Sequence, residues 1–283
     1  MTNQEQIDYW NGEAGHRWAD MDQTMARLLQ PITEALLPRA GAEGRRNALD
    51  VGCGGGSQSI MLAQLLGEGA SVLGVDISEP MLEVARAKAR QLPAGSARVE
   101  FLRADASSHP FPQAGFDLVF SRFGVMFFDD PVAAFANLHR AMEPGGQLAF
   151  SCWQSMKDNA WSWIPVQAAL QHLPPPEPMP PGAPGPFAFA DPERVETILG
   201  SAGFQQISVE SYATTLAVSE APSLAESVRD LAIIGPVARL LTGQPPAVLE
   251  EVYKAMEEVL EPHYNGRCLA LPGAVWFVTA TSS

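Results

Sequence analysis

Cysteine is scarce in this 283-residue chain, which carries only Cys53, Cys152 and Cys268. Thiols so few and so scattered make neither a zinc cluster nor a disulfide framework. Positive charge is short as well: 18 Lys and Arg stand against 32 Asp and Glu, for a net charge of −14. That balance opposes a phosphate backbone and no basic stripe offsets it, so no nucleic-acid partner is expected. No apolar stretch reaches about 18 residues without a charge or a turn, so no membrane-spanning helix is expected. The first residues, Met-Thr-Asn-Gln-Glu-Gln, are polar and acidic rather than a signal peptide, and a cytoplasmic location follows as the expectation. Ser-His-Asp order, a His-Glu-x-x-His helix and acids clustered at metal-ligand spacing are all missing. Hydrolase and metal chemistry therefore lack support. Internal repeats are absent too.

What remains is a globular composition, 46% hydrophobic and 18% charged, long enough for one large domain or a domain with a cap. Its most informative run is Asn47-Ala-Leu-Asp-Val-Gly-Cys-Gly-Gly-Gly56, a short buried strand emptying into a glycine-rich turn. Glycine lets backbone turn tightly and approach a ligand, and the N–H groups of the following helix start favour electron-rich groups. A second apolar run, Ala70-Ser-Val-Leu-Gly-Val-Asp-Ile77, ends on Asp76, an acid at a strand tip that suits the two hydroxyls of a ribose.

Around that turn the chain alternates. Strands over 47–51, 71–76, 98–102, 116–121 and 147–153 are spaced by helices over 57–67, 79–91 and 130–143, with Pro144-Gly-Gly146 stopping the last of these. This describes an α/β fold with a mostly parallel sheet covered on both faces. Asp191-Pro-Glu193 starts a helix running to 202–203, and strands near 205–216 and 274–281 complete the sheet. Residues 1–46 form an N-terminal helical arm, with a kink or two short helices at Pro31. The piece from Tyr9 to Trp18, with its two glycines, is a poor recipe for a plain helix. Residues 154–190, holding the proline run 173–186, read as an extended loop. Residues 219–268 read as a helical cap of two segments, inserted into a domain that otherwise spans 47–218 and 269–283.

Leu49-Asp-Val-Gly-Cys-Gly-Gly-Gly56 resembles the first motif of class I S-adenosylmethionine-dependent methyltransferases, particularly the ubiquinone- and menaquinone-biosynthesis-like group acting on small molecules. The resemblance covers roughly residues 45–153. It implies a Rossmann-like seven-stranded sheet of order 3-2-1-4-5-7-6, with S-adenosylmethionine as cofactor and S-adenosylhomocysteine as product. It also implies that the arm closes over the cofactor, making Tyr9, Trp10 and Trp18 lid residues, and that Asp105 and Ala106 meet the adenine. Ser121 and Arg122 fall where the methionine portion passes. DNA amino-methylating enzymes carry an Asp/Asn-Pro-Pro-aromatic tetrapeptide after the fourth strand, whereas this chain has Ser121-Arg-Phe-Gly124.

The cofactor set expected is thus Tyr9, Trp18, Asp50, Gly52, Cys53, Gly54, Gly56, Asp76, Ile77, Met81, Asp105, Ala106, Ser121 and Arg122. Asp50 either ties down the turn's own N–H groups or, by the resemblance, also meets the cofactor's amino-acid end. Phe123, Phe127, Trp153, Trp161 and Phe187 offer an apolar acceptor surface, although the tryptophans equally suit the loop's own small core. Candidate catalytic residues are His16, His172 and Arg122; His139 is expected to face solvent. A thiolate, an activated carbon or an acidic phenol needs little help from a base, whereas a neutral hydroxyl does. The expected function is methylation of a small aromatic or apolar metabolite, on oxygen or carbon, by a monomer or homodimer without metal. The rivals are an inactive cofactor-binding partner protein and an NAD-dependent oxidoreductase.

Overall fold

Three helices precede the sheet in the computed structural model, which describes residues 3–178, 180 and 182–283: α1 (Asn3–Asn11), α2 (Glu13–Asp20) and α3 (Asp22–Arg39). The segment from Tyr9 to Trp18 is helical on either side of Gly12 but is not one plain helix, in keeping with its two glycines. Gly12 makes the joint between α1 and α2, and Gly15 sits inside α2 where a Cβ would overlap the Trp10 carbonyl. Pro31 lies within an unbroken α3 instead of splitting it. A proline costs one i→i−4 bond, and burial of Leu28, Ile32 and Leu36 along one face keeps the helix in place despite that loss.

The alternation then follows the expected path: β1 (Asn47–Val51), α4 (Ser57–Leu66), β2 (Ser71–Asp76), α5 (Glu79–Ala89), β3 (Arg98–Arg103), β4 (Phe116–Arg122), α6 (Pro131–Ala141) and β5 (Met142–Trp153). After them come α7 (Ala160–Ala169), α8 (Pro192–Ser201), β6 (Gln205–Ser219), α9 (Leu224–Ala232), α10 (Gly235–Leu241), α11 (Pro246–Leu260) and β7 (Leu269–Thr281). The seven strands form one sheet of order β3-β2-β1-β4-β5-β7-β6, as the resemblance implied. Parallel pairing joins β1 to β2 and β4, β2 to β3, and β4 to β5. Among the described residues no helix is long and apolar enough to cross a membrane.

Three local expectations need correcting. Pro144-Gly-Gly146 does not stand between a helix and a strand; it lies inside β5, which starts at Met142. Opposite it the β4–β5 register jumps between Phe116 and Leu118, and Gly145 takes φ +75°, so the extra residues are absorbed as a bulge. The stretch 154–190 is not loop throughout, because it contains α7, where Trp161, Val166, Ala168 and Ala169 are buried. Of its proline run, Met179 and Pro181 lie outside the described residues. The stretch 219–268 holds three helices, not two.

The chain divides into two compact units. One runs to Cys152 and includes Gly182–Ser211 and Trp276–Ser283; the other takes the described residues between 153 and 181 together with Tyr212–Val275. In the first, Leu49, Leu118 and Phe120 are fully buried in the sheet. Phe135 anchors an aromatic cluster there, with ring centroids 5.5 Å from Phe150, 6.2 Å from Phe189 and 6.3 Å from Phe204. The second unit has its own core, in which Trp153 packs 4.9 Å from Trp161, and Val228, Leu231, Val252 and Met256 are sealed from solvent.

Candidate active site

In the order β3-β2-β1-β4-β5 the chain turns from one side of β1 to the other, so the carboxyl ends of β1 and β4 flank the crevice where open α/β sheets bind ligands. The glycine turn 52–56 lies there. Gly52, Gly54 and Gly56 adopt φ of +66°, +52° and +76°, the left-handed region that a side chain disfavours. Space forbids a side chain as well: a Cβ on Gly52 would stand 2.6 Å from Gly124 Cα, and one on Gly56 would stand 2.8 Å from Ala85 Cβ. A Cβ on Gly55 would overlap the Asp22 carboxylate. Cys53 within the turn is 1% exposed, and burial raises its thiol well above the usual range.

Asp76 at the tip of β2 fastens this turn. Its Oδ2 accepts the Gly54 N–H at 2.8 Å and its Oδ1 the Ser78 N–H at 2.9 Å. Burial raises its pKa, and these backbone bonds pull against that. Met81, 8% exposed, stands against Gly54, and a Cβ there would lie 3.2 Å from its Cε. Asp105, next along after β3, is brought toward Asp76 by the Ala104 N–H bond to the Asp76 carbonyl. Its Oδ1 accepts from Ser107 N–H at 2.9 Å and from the Ser107 hydroxyl at 2.7 Å, and its Oδ2 from the Ser108 hydroxyl at 3.0 Å. Ala106 beside it is buried.

Asp50, fully buried at the end of β1, accepts the Ser59 hydroxyl at 2.5 Å on Oδ2. Oδ1 has no partner among the described residues. Burial pushes this carboxyl from 3.8 up to about 7, against the pull of Ser59 and of the nearby Arg122 guanidinium. Arg122 donates to Thr33 Oγ1 at 2.8 Å, and with the Gln58 amide oxygen turned toward it also bonds through Nε at 2.7 Å and Nη2 at 2.8 Å. Burial lowers its pKa to about 10, which leaves it cationic. Ser121 donates to the Val51 carbonyl at 2.7 Å and so staples β4 to β1. Beyond it Phe123 takes φ +67°, a strained conformation for an aromatic residue, while its N–H donates to the Ser151 carbonyl.

The arm docks at the β2–α5 corner. Asn11 donates to the Ile77 carbonyl at 2.9 Å and accepts the Glu79 N–H at 3.1 Å. The Ser78 hydroxyl, standing at the start of α5, is spent on the Trp10 carbonyl at 2.7 Å rather than on capping its own helix. Asn11 thus does from α1 what an N-cap side chain does locally. Trp10 meets Trp18 and Phe127 edge-on at 5.8 Å each and Tyr9 at 5.2 Å, and Gln6 donates to the Phe127 carbonyl.

The histidines are more scattered. His16 is on the exposed side of α2, and His172, in the second unit, lies 3.5 Å from Glu251. His139, expected to face solvent, is half-buried with its ring edge-on to Phe204 at 5.0 Å. Trp153 and Trp161 belong to the second unit's core, and Phe187 is half-buried in the first unit. Sequence reasoning missed Asn11, Asp22, Gln58 and Lys88, whose partners are distant in sequence and form no local motif.

Residues 49–150 match the methyltransferase-domain family. The demethylmenaquinone methyltransferase of Listeria welshimeri is 38% identical over 120 residues, covering 42% of this chain and 49% of that protein. The matched region thus spans about half the length of that relative. The aklanonic acid methyltransferase DauC of Streptomyces sp. strain C5 is 32% identical over 157 residues, covering 53% of this chain and 67% of its own. Among solved structures, the Haemonchus contortus phosphoethanolamine N-methyltransferase 2 shares the fold with TM-score 0.58 at 19% identity, over 97% of this chain and 59% of that one. On its glycine turn, its strand order and these relatives, the chain belongs to the class I S-adenosylmethionine-dependent methyltransferases.

Proposed function

We propose that the chain binds S-adenosylmethionine in the crevice above β1 and β4 and methylates a small, aromatic or apolar metabolite on oxygen or carbon. The observation that carries the reading is the Asp76 carboxylate locked onto the Gly54 and Ser78 N–H groups, beside a turn whose positions 52, 55 and 56 leave no room for a side chain. A carboxylate has about four acceptor sites, so those bonds leave capacity for ribose hydroxyls. The buried, unpartnered Asp50 Oδ1 is a second feature that suits a polar ligand beside the turn. When bound, the cofactor supplies a sulfonium methyl for in-line attack by a nucleophile.

The chain's own part is binding, orientation and the exclusion of water. Asp76 and the glycine turn hold the nucleoside, and Asp105 with Ala106 borders the adenine. Trp10, Trp18 and Phe127 shield the mouth as the lid. Phe123 borders the acceptor. No histidine beside the turn is needed for an acidic phenol or an activated carbon. Relatives named for demethylmenaquinone and aklanonic acid support a small-molecule acceptor.

Calorimetry with S-adenosylhomocysteine tests the cofactor. Micromolar binding is expected, together with its loss in Asp76→Ala; an intact protein that binds none of it ends the reading. Product detection with quinols and phenols then separates a working enzyme from a silent cofactor-binding protein.

A further inference from the structure

Asparagine precedes glycine twice in this chain, at Asn11-Gly12 and at Asn265-Gly266, and the fold treats the two pairs oppositely. A glycine after asparagine leaves its peptide nitrogen open to the neighbouring side chain, because no Cβ shields it. That nitrogen can attack the side-chain amide carbon. Asn11 is tied at every atom this reaction uses. Its Nδ2 donates to the Ile7 carbonyl at 2.7 Å and the Ile77 carbonyl at 2.9 Å, and its Oδ1 accepts the Glu79 N–H at 3.1 Å. The attacking nitrogen is tied as well, since the Gly12 N–H donates to the Asp8 carbonyl at 3.0 Å. Asn265 lies between α11 and β7, and both it and Gly266 are exposed. Its Oδ1 accepts the Arg267 N–H at 3.0 Å and the Cys268 N–H at 2.9 Å, which folds the side chain back over the Gly266 peptide. Neither the Gly266 N–H nor Asn265 Nδ2 bonds to an acceptor among the described residues.

At Asn265 the nucleophile and the leaving group are thus both unengaged, and the carbonyl between them is polarised. The two N–H groups on Oδ1 stand where negative charge gathers when Cγ is attacked, the arrangement of an oxyanion hole. We infer that Asn265 is a site of spontaneous deamidation in the folded protein, and that docking of the arm withholds the same reaction from Asn11. The Gly266 nitrogen bonds to Asn265 Cγ, the Cγ–Nδ2 bond breaks, and the nitrogen's proton leaves with the ammonia. Water then adds to one carbonyl of the cyclic imide and opens it, to aspartate or to isoaspartate. Water is the sole co-reactant, and nothing is oxidised or reduced. Either product carries a negative charge that the amide lacked. In the isoaspartate the main chain gains a methylene and Oδ1 becomes a main-chain oxygen, so its bonds to Arg267 and Cys268 lose their geometry and the turn before β7 loosens. This chemistry is independent of methyl transfer.

In the test, the full chain is held at mildly alkaline pH, folded and in urea, and timed samples are digested with trypsin, which places Asn11 and Asn265 in different peptides. The mass gain of an amide turned acid gives a folded rate and a urea rate for each site. Protection, the urea rate divided by the folded rate, is expected to be no more than about threefold at Asn265 and about tenfold or more at Asn11, which reacts only from the undocked arm. Protection at Asn265 above that limit overturns the inference, because the turn would then hold the amide out of reach. Protection at Asn11 below about tenfold overturns it too, because docking would then not withhold the reaction. Ion exchange of the folded sample gives an independent reading. A more acidic form is expected to accumulate in wild type and not in Asn265→Gln, whose longer side chain closes a ring far more slowly. An acidic form that accumulates equally in Asn265→Gln places the lost amide elsewhere and overturns the assignment.

Discussion

Replacing Asn11 by alanine should release the N-terminal arm without unfolding the sheet. The side chain makes two bonds from α1 to the β2–α5 corner, to the Ile77 carbonyl at 2.9 Å and from the Glu79 N–H at 3.1 Å. A net contribution of about 1 kcal/mol for each gives roughly 2 kcal/mol of docking energy. At about 1.4 kcal/mol per tenfold, the undocked population then rises roughly thirtyfold. The contacts left behind, Ser78 to Trp10 and Trp10 to Phe127, still favour docking. Chymotrypsin under native conditions reads this directly at Tyr9, Trp10 and Trp18. Where opening is fast relative to cleavage, the cutting rate follows the open population. A rate tens of times that of wild type is expected, with little change in the urea midpoint of the whole protein. A rate within about twofold of wild type would show that Asn11 does not hold the arm. A matching fall in the midpoint would show that the arm does not open as a separate piece.

The strained backbone at Phe123 predicts an inverted order of substitutions. Glycine ordinarily costs about 0.5–1 kcal/mol relative to alanine, yet at φ +67° Phe123→Gly should exceed Phe123→Ala in unfolding free energy, read from urea titration, by about 1 kcal/mol. The usual order would disprove the strain. Asp50 predicts a pH effect. Its carboxyl is raised from 3.8 to about 7, so the native state holds a proton that the unfolded chain gives up. Its contribution is therefore complete below about pH 4 and fades as pH rises through 7. Asp50→Asn should flatten that decline, leaving the variant more stable than wild type at pH 8 by up to about 4 kcal/mol. Parallel pH profiles of urea midpoint for the two proteins would refute it.

The alternation of apolar runs and helical patterns is written locally, and so are the glycines at 52, 54 and 56, which is why the sheet and its glycine turn are legible in the sequence. Asp76 is legible for the same reason, as the residue where an apolar run meets a helix start. What is not legible is decided by partners far along the chain. Pro31 reads as a break because the buried face that holds α3 together is tertiary. The Pro144-Gly-Gly146 signal points to a stop, yet pairing with β4 draws those residues into a bulged strand. Asn11 sits before a glycine and looks like a loop residue, and only the open N-terminus of α5, 68 positions later, gives it a role. Asp22 and Lys88 are ordinary helix-surface residues until α3 and α5 bring them together over Gly55.

The burial of Cys53 gives the molecule a built-in clock. Its thiol lies inside the glycine turn, almost wholly covered and held protonated, so an alkylating reagent finds no thiolate while the turn is closed. Cys152, fully buried on β5, has its thiol raised by burial as well and is shielded by the sheet itself, whereas Cys268 is partly open to solvent. Three thiols in one chain thus become available in succession: one at once, one when the turn breathes and one when the core gives way. Anything that steadies the turn lengthens the middle interval alone, and the native protein reports that lengthening without a label having to be introduced.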